Sequence, residues 1–545
     1  MPRAPATIAL GAALATIGAA TLPAAASASS SQTAIIQDDS DLYNPAGVLG
    51  QFRALGANTV RVFVPWSLVA PNRTSTKKPS FDATNPSAYP AANWAPYDNL
   101  VRQARLDGIA VDFTVAGAPR WAEGSGIPAV ATTNPYYAWK PNAGEYGQFL
   151  QAIGKRYSGS FTPQGQSSPL PAVRFWSIFN EPNFGQDLGP QAIDGSRVSV
   201  APMMYRSLVD AGFKALQSSG HGRDTILIGE YAARGIGPGR PTRNAPQGYP
   251  GNFSQTKPLQ FIRTLYCVDS KYRELRAGAA RAVGCPTSAA GSRSFRRQHP
   301  GLFNASGVAD HPYPDNLSPV TDGRNDPDFA ALPDLGRLAA ALDRVNRVYG
   351  SHKRYPIYNT EYGYITHPPK SSHYPSPSTA AYYINWAEYL SFKNPRVASY
   401  MQYLLADPSP RTGAYNGFAS GLETYNGTKK ATYYAFRMPF YMPRTSFSRR
   451  QSVEVWGGAR PAPFAQLDGN GAQQAQIQLQ TGHSGFKTLK TVRLAGRTGY
   501  FDVRMKFPSS GTVRLQWTYP SQDSLLPSED QGQTVYSRTF NIRVH

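Results

Sequence analysis

The sequence predicts a (β/α)8 TIM barrel followed by a small C-terminal antiparallel β-sandwich, and three observations predict it. From Ala34 to about Phe436, short apolar runs alternate with longer amphipathic segments, the pattern that builds parallel strands covered by helices. Eight such runs are present, without the glycine-rich fingerprint that a doubly wound sheet carries. After about Pro439 the apolar residues recur at every second position, which marks half-buried strands.

The elements follow in chain order. Met1-Pro-Arg3 supplies a positive start, Ile8 to Leu22 an apolar stretch, and Ala26-Ser-Ala28 a small-residue cleavage site. Together they read as a signal peptide over residues 1–28 of a secreted, extracellular protein. The barrel is expected over 29–439. Its strands are read at Ala34–Gln37, Asn58–Val64, Ile109–Val115, Val173–Phe179, Thr225–Gly229, Gly307–Asp310, Pro356–Thr360 and Ala398–Leu404. Helix-spaced apolar residues fall at Tyr97–Asp107, Ala143–Tyr157, Pro202–Gln217, Leu332–Tyr349 and Thr379–Phe392. The Ig-like sandwich is expected over 440–545, with strands at Ser452–Trp456, Ala475–Gln480, Tyr500–Phe507, Thr512–Trp517 and Phe540–Val544, and a hairpin turn at Pro508–Gly511. Its expected role is to pack against the barrel.

Composition narrows the function. A net charge of +21 would attract polyanions if it were concentrated, but basic runs such as Arg296-Arg297 and Arg449-Arg450 are short. No basic helix with interleaved aromatics offers a nucleic-acid groove. No run after the leader reaches eighteen apolar residues, so no membrane anchor is expected. The eight histidines lack zinc spacing and Asp38-Asp39 lacks a calcium-loop pattern, so neither metal nor cofactor is expected. Cys267 and Cys285 are an even pair in an exported chain, which suggests one disulfide closing a local loop. The 32 tyrosines and 8 tryptophans offer flat apolar faces with a polar edge, as sugar clefts require. The sequence sets no oligomeric state.

The strand ends carry the chemistry. In this architecture the C-terminal ends open onto one face, and here they are Arg61, Pro119-Arg-Trp121, Asn180-Glu181, Glu230, His311-Pro-Tyr313, Glu361-Tyr362 and Gln402-Tyr403. In Arg174-Phe-Trp-Ser-Ile-Phe-Asn-Glu-Pro-Asn183, a buried strand delivers Glu181 to its lip, where Pro182 ends ladder pairing. Tyr355-Pro-Ile-Tyr-Asn-Thr-Glu-Tyr-Gly363 delivers Glu361 in the same way, from the seventh strand against the fourth. Two carboxyl groups meeting in a sheltered cleft cannot both ionise freely, so one keeps its proton and the roles of acid and nucleophile separate. Loops such as Arg234–Thr256 and the stretch bounded by the cysteines are expected to wall the cleft. Trp66, Trp121 and Trp139 are candidate sugar platforms with a core role as the alternative, and Glu230 either contacts a substrate hydroxyl or pairs with an arginine.

Asn180-Glu-Pro182 and Thr360-Glu-Tyr-Gly363, with Pro119-Arg-Trp121 and Gly417–Phe436, resemble the clan A glycoside hydrolases, most nearly families 39 and 5. The resemblance implies a retaining enzyme with Glu181 as acid/base, Glu361 as nucleophile and Asn180 as donor to the sugar 2-hydroxyl. Arg61 matches the strand-two arginine that supports the nucleophile, and His311 and Tyr313 match the strand-six group beside it. Trp121, Glu230 and Tyr362 complete the expected substrate-binding set. The implied substrate is carbohydrate. A transglycosylase using the same carboxylates and a noncatalytic carbohydrate- or cell-wall-binding protein are the alternatives; the presence of both glutamates weighs against the latter.

Overall fold

The computed structural model describes residues 32–128, 134–192, 198–237, 254–322, 325–409 and 418–545, so the expected signal peptide over 1–28 lies outside the described residues. Eight parallel strands close into a barrel: β1 (Thr33–Gln37), β2 (Thr59–Pro65), β3 (Ala110–Ala116), β4 (Phe175–Ile178), β5 (Thr225–Ala232), β6 (Gly307–His311), β7 (Ile357–Asn359) and β8 (Val397–Tyr403). Strand β8 pairs back onto β1, from Ser399 opposite Thr33 to Tyr403 opposite Gln37, which leaves the sheet no free edge. Every expected barrel run is a strand. Helices Ala91–Leu106, Ala143–Arg156, Ala201–Leu216, Leu335–Val348 and Pro377–Lys393 cover the sheet where the 3.6-residue periodicity placed them. The first of these begins well before Tyr97 because Pro96 lies inside it, removing one ladder bond without ending the helix.

Two strand ends depart from expectation for backbone reasons. Pairing in β4 stops at Ile178, ahead of Pro182, because Phe179 turns left-handed at φ 72°, followed by Glu181 at φ 35°. In β5 the register shifts between Gly229 and Tyr231. Glu230 sits at that bulge with φ 55°, so pairing resumes beyond it and the strand is longer than its apolar run.

Alternation along each strand sorts the side chains into two environments. Val60, Val62 and Val64 of β2, and Val111, Phe113 and Val115 of β3, join the shell packed under the helices. Phe175, Leu227 and Ala309, with Tyr358 against them, form a separate buried cluster. The Phe175 and Tyr358 rings are 5.5 Å apart although β4 and β7 are not neighbours, so this cluster fills the inside of the barrel. Above it the interior turns polar with Arg61, Glu230, His311 and Thr360, all fully buried.

The C-terminal strands are β9 (Phe440–Tyr441), β10 (Ser446–Phe447), β11 (Val453–Gly458), β12 (Gln474–Gln480), β13 (Lys487–Arg493), β14 (Tyr500–Met505), β15 (Gly511–Thr518), β16 (Thr534–Tyr536) and β17 (Phe540–Val544). They form one sheet in the order β9-β11-β14 and another in the order β10-β17-β15-β12-β13, with β16 on β15. All pairs are antiparallel except β10 with β17. Because β14 and β15 belong to different sheets, Pro508–Gly511 is a crossover between sheets and not a hairpin turn. Strand β13 escaped the sequence reading because six of its seven residues are exposed, with only Val492 buried, so it has no period-two signal to give.

Tyr389 and Phe392 of the last barrel helix pack on Trp456, and Trp386 stacks on Tyr441. Among these rings Glu388 forms a fully buried ion pair with Arg460 at 2.7 Å.

Candidate active site

The C-terminal ends of the barrel strands open into a cavity of about 840 Å³. Asn180 and Glu181 reach it from the turn after β4, Tyr313 from beyond β6, Glu361 from two residues past β7, and Tyr403 from the end of β8. The left-handed residues after β4 place Glu181 at the lip, where its side chain keeps 16% of its surface exposed; that of Glu361 keeps 11%. Oxygens of the two glutamates and a ring nitrogen of His311 lie within 4.8 Å of one another.

Two buried cations hold this arrangement from below. One Arg61 terminal nitrogen donates to Glu361 Oε1 at 2.8 Å and to the Gln37 side-chain Oε1, and the other donates to Asn180 Oδ1 at 2.8 Å and Glu230 Oε2 at 2.9 Å. His311 stands between the carboxylates, with Nδ1 2.8 Å from Glu181 Oε1 and 3.5 Å from Glu361 Oε2, and Nε2 2.7 Å from Glu230 Oε2. Thr360 donates to the same Glu230 oxygen at 2.8 Å, and the Tyr313 hydroxyl donates to Glu361 Oε2 at 3.3 Å.

The charges follow from these contacts. Burial alone would strip the proton from His311, but Glu361, Glu181 and Glu230 outweigh it and raise its pKa to about 10. Both ring nitrogens therefore carry protons and donate. Burial raises the Glu230 carboxyl, yet Arg61 and His311 overcome this and hold it down at about 2. Glu181 is raised: burial and the Glu361 charge outweigh the bond and charge of His311. A carboxyl that keeps its proton longer than an ordinary glutamic acid thus faces one that is ion-paired to Arg61 across the same hollow. Glu181, His311 and Glu361 are the ligand types a cation would use, but His311 spends both nitrogens as donors, so a metal would first have to displace a firmly held proton.

The sequence-expected residues divide by depth. Asn180, Glu181, Tyr313 and Glu361 line the cavity. Arg61, His311 and Glu230 have no exposed surface; Arg61 and His311 contact the carboxylates from beneath the cavity, and Glu230 is paired with Arg61. Tyr362 is also fully buried, stacked behind Tyr313 at 6.3 Å with its hydroxyl on Tyr364. Trp121 is not among the residues lining the cavity: its indole nitrogen donates to the Pro71 carbonyl and its ring meets Trp66 edge-on. Trp66 and Trp139 are likewise buried. These side chains end strands or begin loops as the sequence suggested, but packing turned them inward.

Aromatic surface comes instead from Phe63, Tyr136 and Phe418, which the sequence reading passed over, and from the strand-end Tyr403, which meets Phe418 edge-on at 5.2 Å. Three further carboxyls line the cavity, Asp39, Asp187 and Asp315. Burial raises Asp39 to about 6 even though the Gln37 amide and the Phe63 N–H donate to it. The strand-end rule could have found Asp39, which follows β1; Asp187 lies within a loop and carries no such signal. Arg234 to Ile236 and Gln255 wall the cavity as expected, while residues 238–253 between them lie outside the described residues. The stretch bounded by the cysteines does not wall it. Cys267 and Cys285 are joined in a disulfide, and that loop borders a separate depression lined by Val268, Asp269 and Leu275.

No protein-family model and no curated protein matches the chain. Among solved structures it is similar to a family 39 glycoside hydrolase from the gut symbiont Bacteroides cellulosilyticus WH2, with 12% identity over 87% of this chain and 81% of that one and a TM-score of 0.44. It is also similar to a family 5 glycoside hydrolase from Streptomyces cattleya, with 14% identity over 74% and 79% and a TM-score of 0.43. A fungal β-1,4-galactanase is similar at 14% identity over 74% and 99%, with a TM-score of 0.42. Likeness of this degree assigns no residue its role.

Proposed function

We propose that this protein is a secreted, retaining glycoside hydrolase that cleaves plant or microbial polysaccharides, oligosaccharides or glycosides by double displacement through Glu181 and Glu361. Its chain reads as a signal peptide over 1–28, a catalytic barrel over 29–439 and a sandwich over 440–545. The observation that carries the reading is the meeting of Glu181 and Glu361 oxygens within 4.8 Å in one cavity. Retaining enzymes separate their carboxyls by about 5 to 5.5 Å, whereas inverting enzymes leave about 6.5 to 9.5 Å to admit a water between them.

The steps follow from the two environments. Glu181, which holds its proton, donates it to the departing glycosidic oxygen. Glu361, fixed by Arg61 and Tyr313, attacks the anomeric carbon from the opposite side and forms a glycosyl ester. Water deprotonated by Glu181 then opens the ester with net retention. Asn180 has its carbonyl held by Arg61 and one amide hydrogen on Asp187. Its second amide hydrogen, without a partner among the described residues, donates to the sugar 2-hydroxyl, a bond that strengthens as charge develops at the transition state. The decisive experiment screens aryl glycosides and polysaccharides, then follows the first-formed product of a cleaved substrate by NMR. Retention of anomeric configuration is expected; inversion, or wild-type turnover by Glu361→Gln, would end the assignment.

A further inference from the structure

We propose that Asp187 reads a second hydroxyl of the sugar at the cleaved bond: its carboxyl Oδ2 binds the hydroxyl next to the one that Asn180 engages. This rests on the glycosidase reading above. Asp187 lines the cavity, yet only 9% of its surface is exposed. Its Oδ1 accepts from Asn180 Nδ2 at 3.0 Å, and Oδ2 has no hydrogen bond among the described residues. A cavity-facing carboxyl oxygen without a protein partner is a ready hydrogen-bonding group for a substrate hydroxyl.

The group is rigid as well as open. The Asp187 N–H donates to the Phe184 carbonyl at 3.0 Å, and its own carbonyl accepts from the Ala138 N–H at 2.9 Å. Arg61, Asn180 and Asp187 thus form a fixed file from the barrel interior to the cleft wall, with the Asn180 amide oriented by the arginine at one end. Neighbouring hydroxyls of a sugar ring are spaced at about a hydrogen-bond length, as are Asn180 Nδ2 and the Asp187 carboxyl. Burial foremost, with Glu181 and Glu361 beside it, raises that carboxyl well above the usual range, which favours the neutral, donating form. The substrate this selects has a free, unbranched hydroxyl at that carbon.

The test uses full-length protein, the 4-nitrophenyl glycoside that wild type cleaves best, and its monodeoxy analogues. Asp187→Ala is expected to lower kcat/KM on the parent about 10- to 100-fold, the loss of one hydrogen bond to a positioned group. On one analogue, other than the 2-deoxy sugar, wild type and D187A should be equal, because the bond is already gone. Asp187→Asn, which reproduces the neutral donor, should stay within a few-fold of wild type on the parent. An equal loss on every analogue, no loss on the parent, or a D187N defect as deep as that of D187A each overturns the proposal. Failure of the underlying reading is distinguishable: wild type and Glu361→Gln would turn over the parent alike, and the Asp187 proposal would fall with it.

Discussion

His311 touches three carboxylates, and its neighbours make the site's charge state a function of pH that can be measured. Its folded pKa of about 10 lies above the ordinary 6.5. The stability it contributes is therefore complete below about pH 6.5 and is lost as pH rises through about 10. Glu230 is the opposite case: its folded pKa of about 2 lies below the ordinary 4.5, so its contribution is complete above about pH 4.5 and is lost as pH falls through about 2. Denaturant unfolding of wild type should show a decline between pH 7 and 10 that His311→Gln flattens; an unchanged alkaline slope in the variant would refute the assignment. Glu181→Ala should lose about 10²- to 10⁴-fold in kcat, with azide restoring turnover of activated glycosides because this anion attacks the glycosyl ester without needing a base, giving a glycosyl azide and freeing the Glu361 carboxylate. Absence of rescue alongside intact folding would remove Glu181 from that role. Glu181 and Glu361 were legible from strand-end position, but the depth of Arg61, Glu230, His311 and Tyr362 was not, because a strand-end residue points into or away from the cleft according to what packs across the barrel. Arg61→Met should leave Glu230 and Glu361 without their shared counter-charge and destabilise the fold by about 3 to 5 kcal/mol.

At the scale of elements, the bulge in β5 and the left-handed turn after β4 aim the two glutamates that a regular ladder would have misdirected. Neither Gly229 nor the Phe179-Asn-Glu181 run announces this, since a positive φ at Phe179, Glu181 and Glu230 is imposed by the surrounding contacts and not by residue preference. The disulfide is a separate device. It joins Cys267, just past the helix Pro258–Leu265, to Cys285, just past the helix Ala277–Ala282, and closes a loop that stands clear of the cleft. Cys267→Ser with Cys285→Ser should lower unfolding free energy by about 3 kcal/mol, the loop-closure entropy of a loop of this size, while leaving kcat near wild type. A large loss of kcat in folded double variant would mean that the loop does shape the cleft.

Over the whole molecule, the sandwich covers an aromatic barrel helix and supplies Arg460 to the buried Glu388. Cutting the chain after 439 would expose Tyr382, Trp386, Tyr389 and Phe392 together and leave Glu388 buried without its partner, so the shortened chain should aggregate; a soluble, fully active 32–439 fragment would show the sandwich to be dispensable. By itself the sequence determined the barrel, its order of strands and helices, the change to alternating strands and the two glutamates, because periodicity and strand-end position are local properties that neighbouring residues fix. Tertiary structure alone decided which strand-end residues face the cleft, which sheet each C-terminal strand joins, and the place of Asp187 beside Asn180. Those outcomes depend on contacts between segments far apart in the chain, where burial and hydrogen bonding set side-chain direction and no spacing within the chain encodes it.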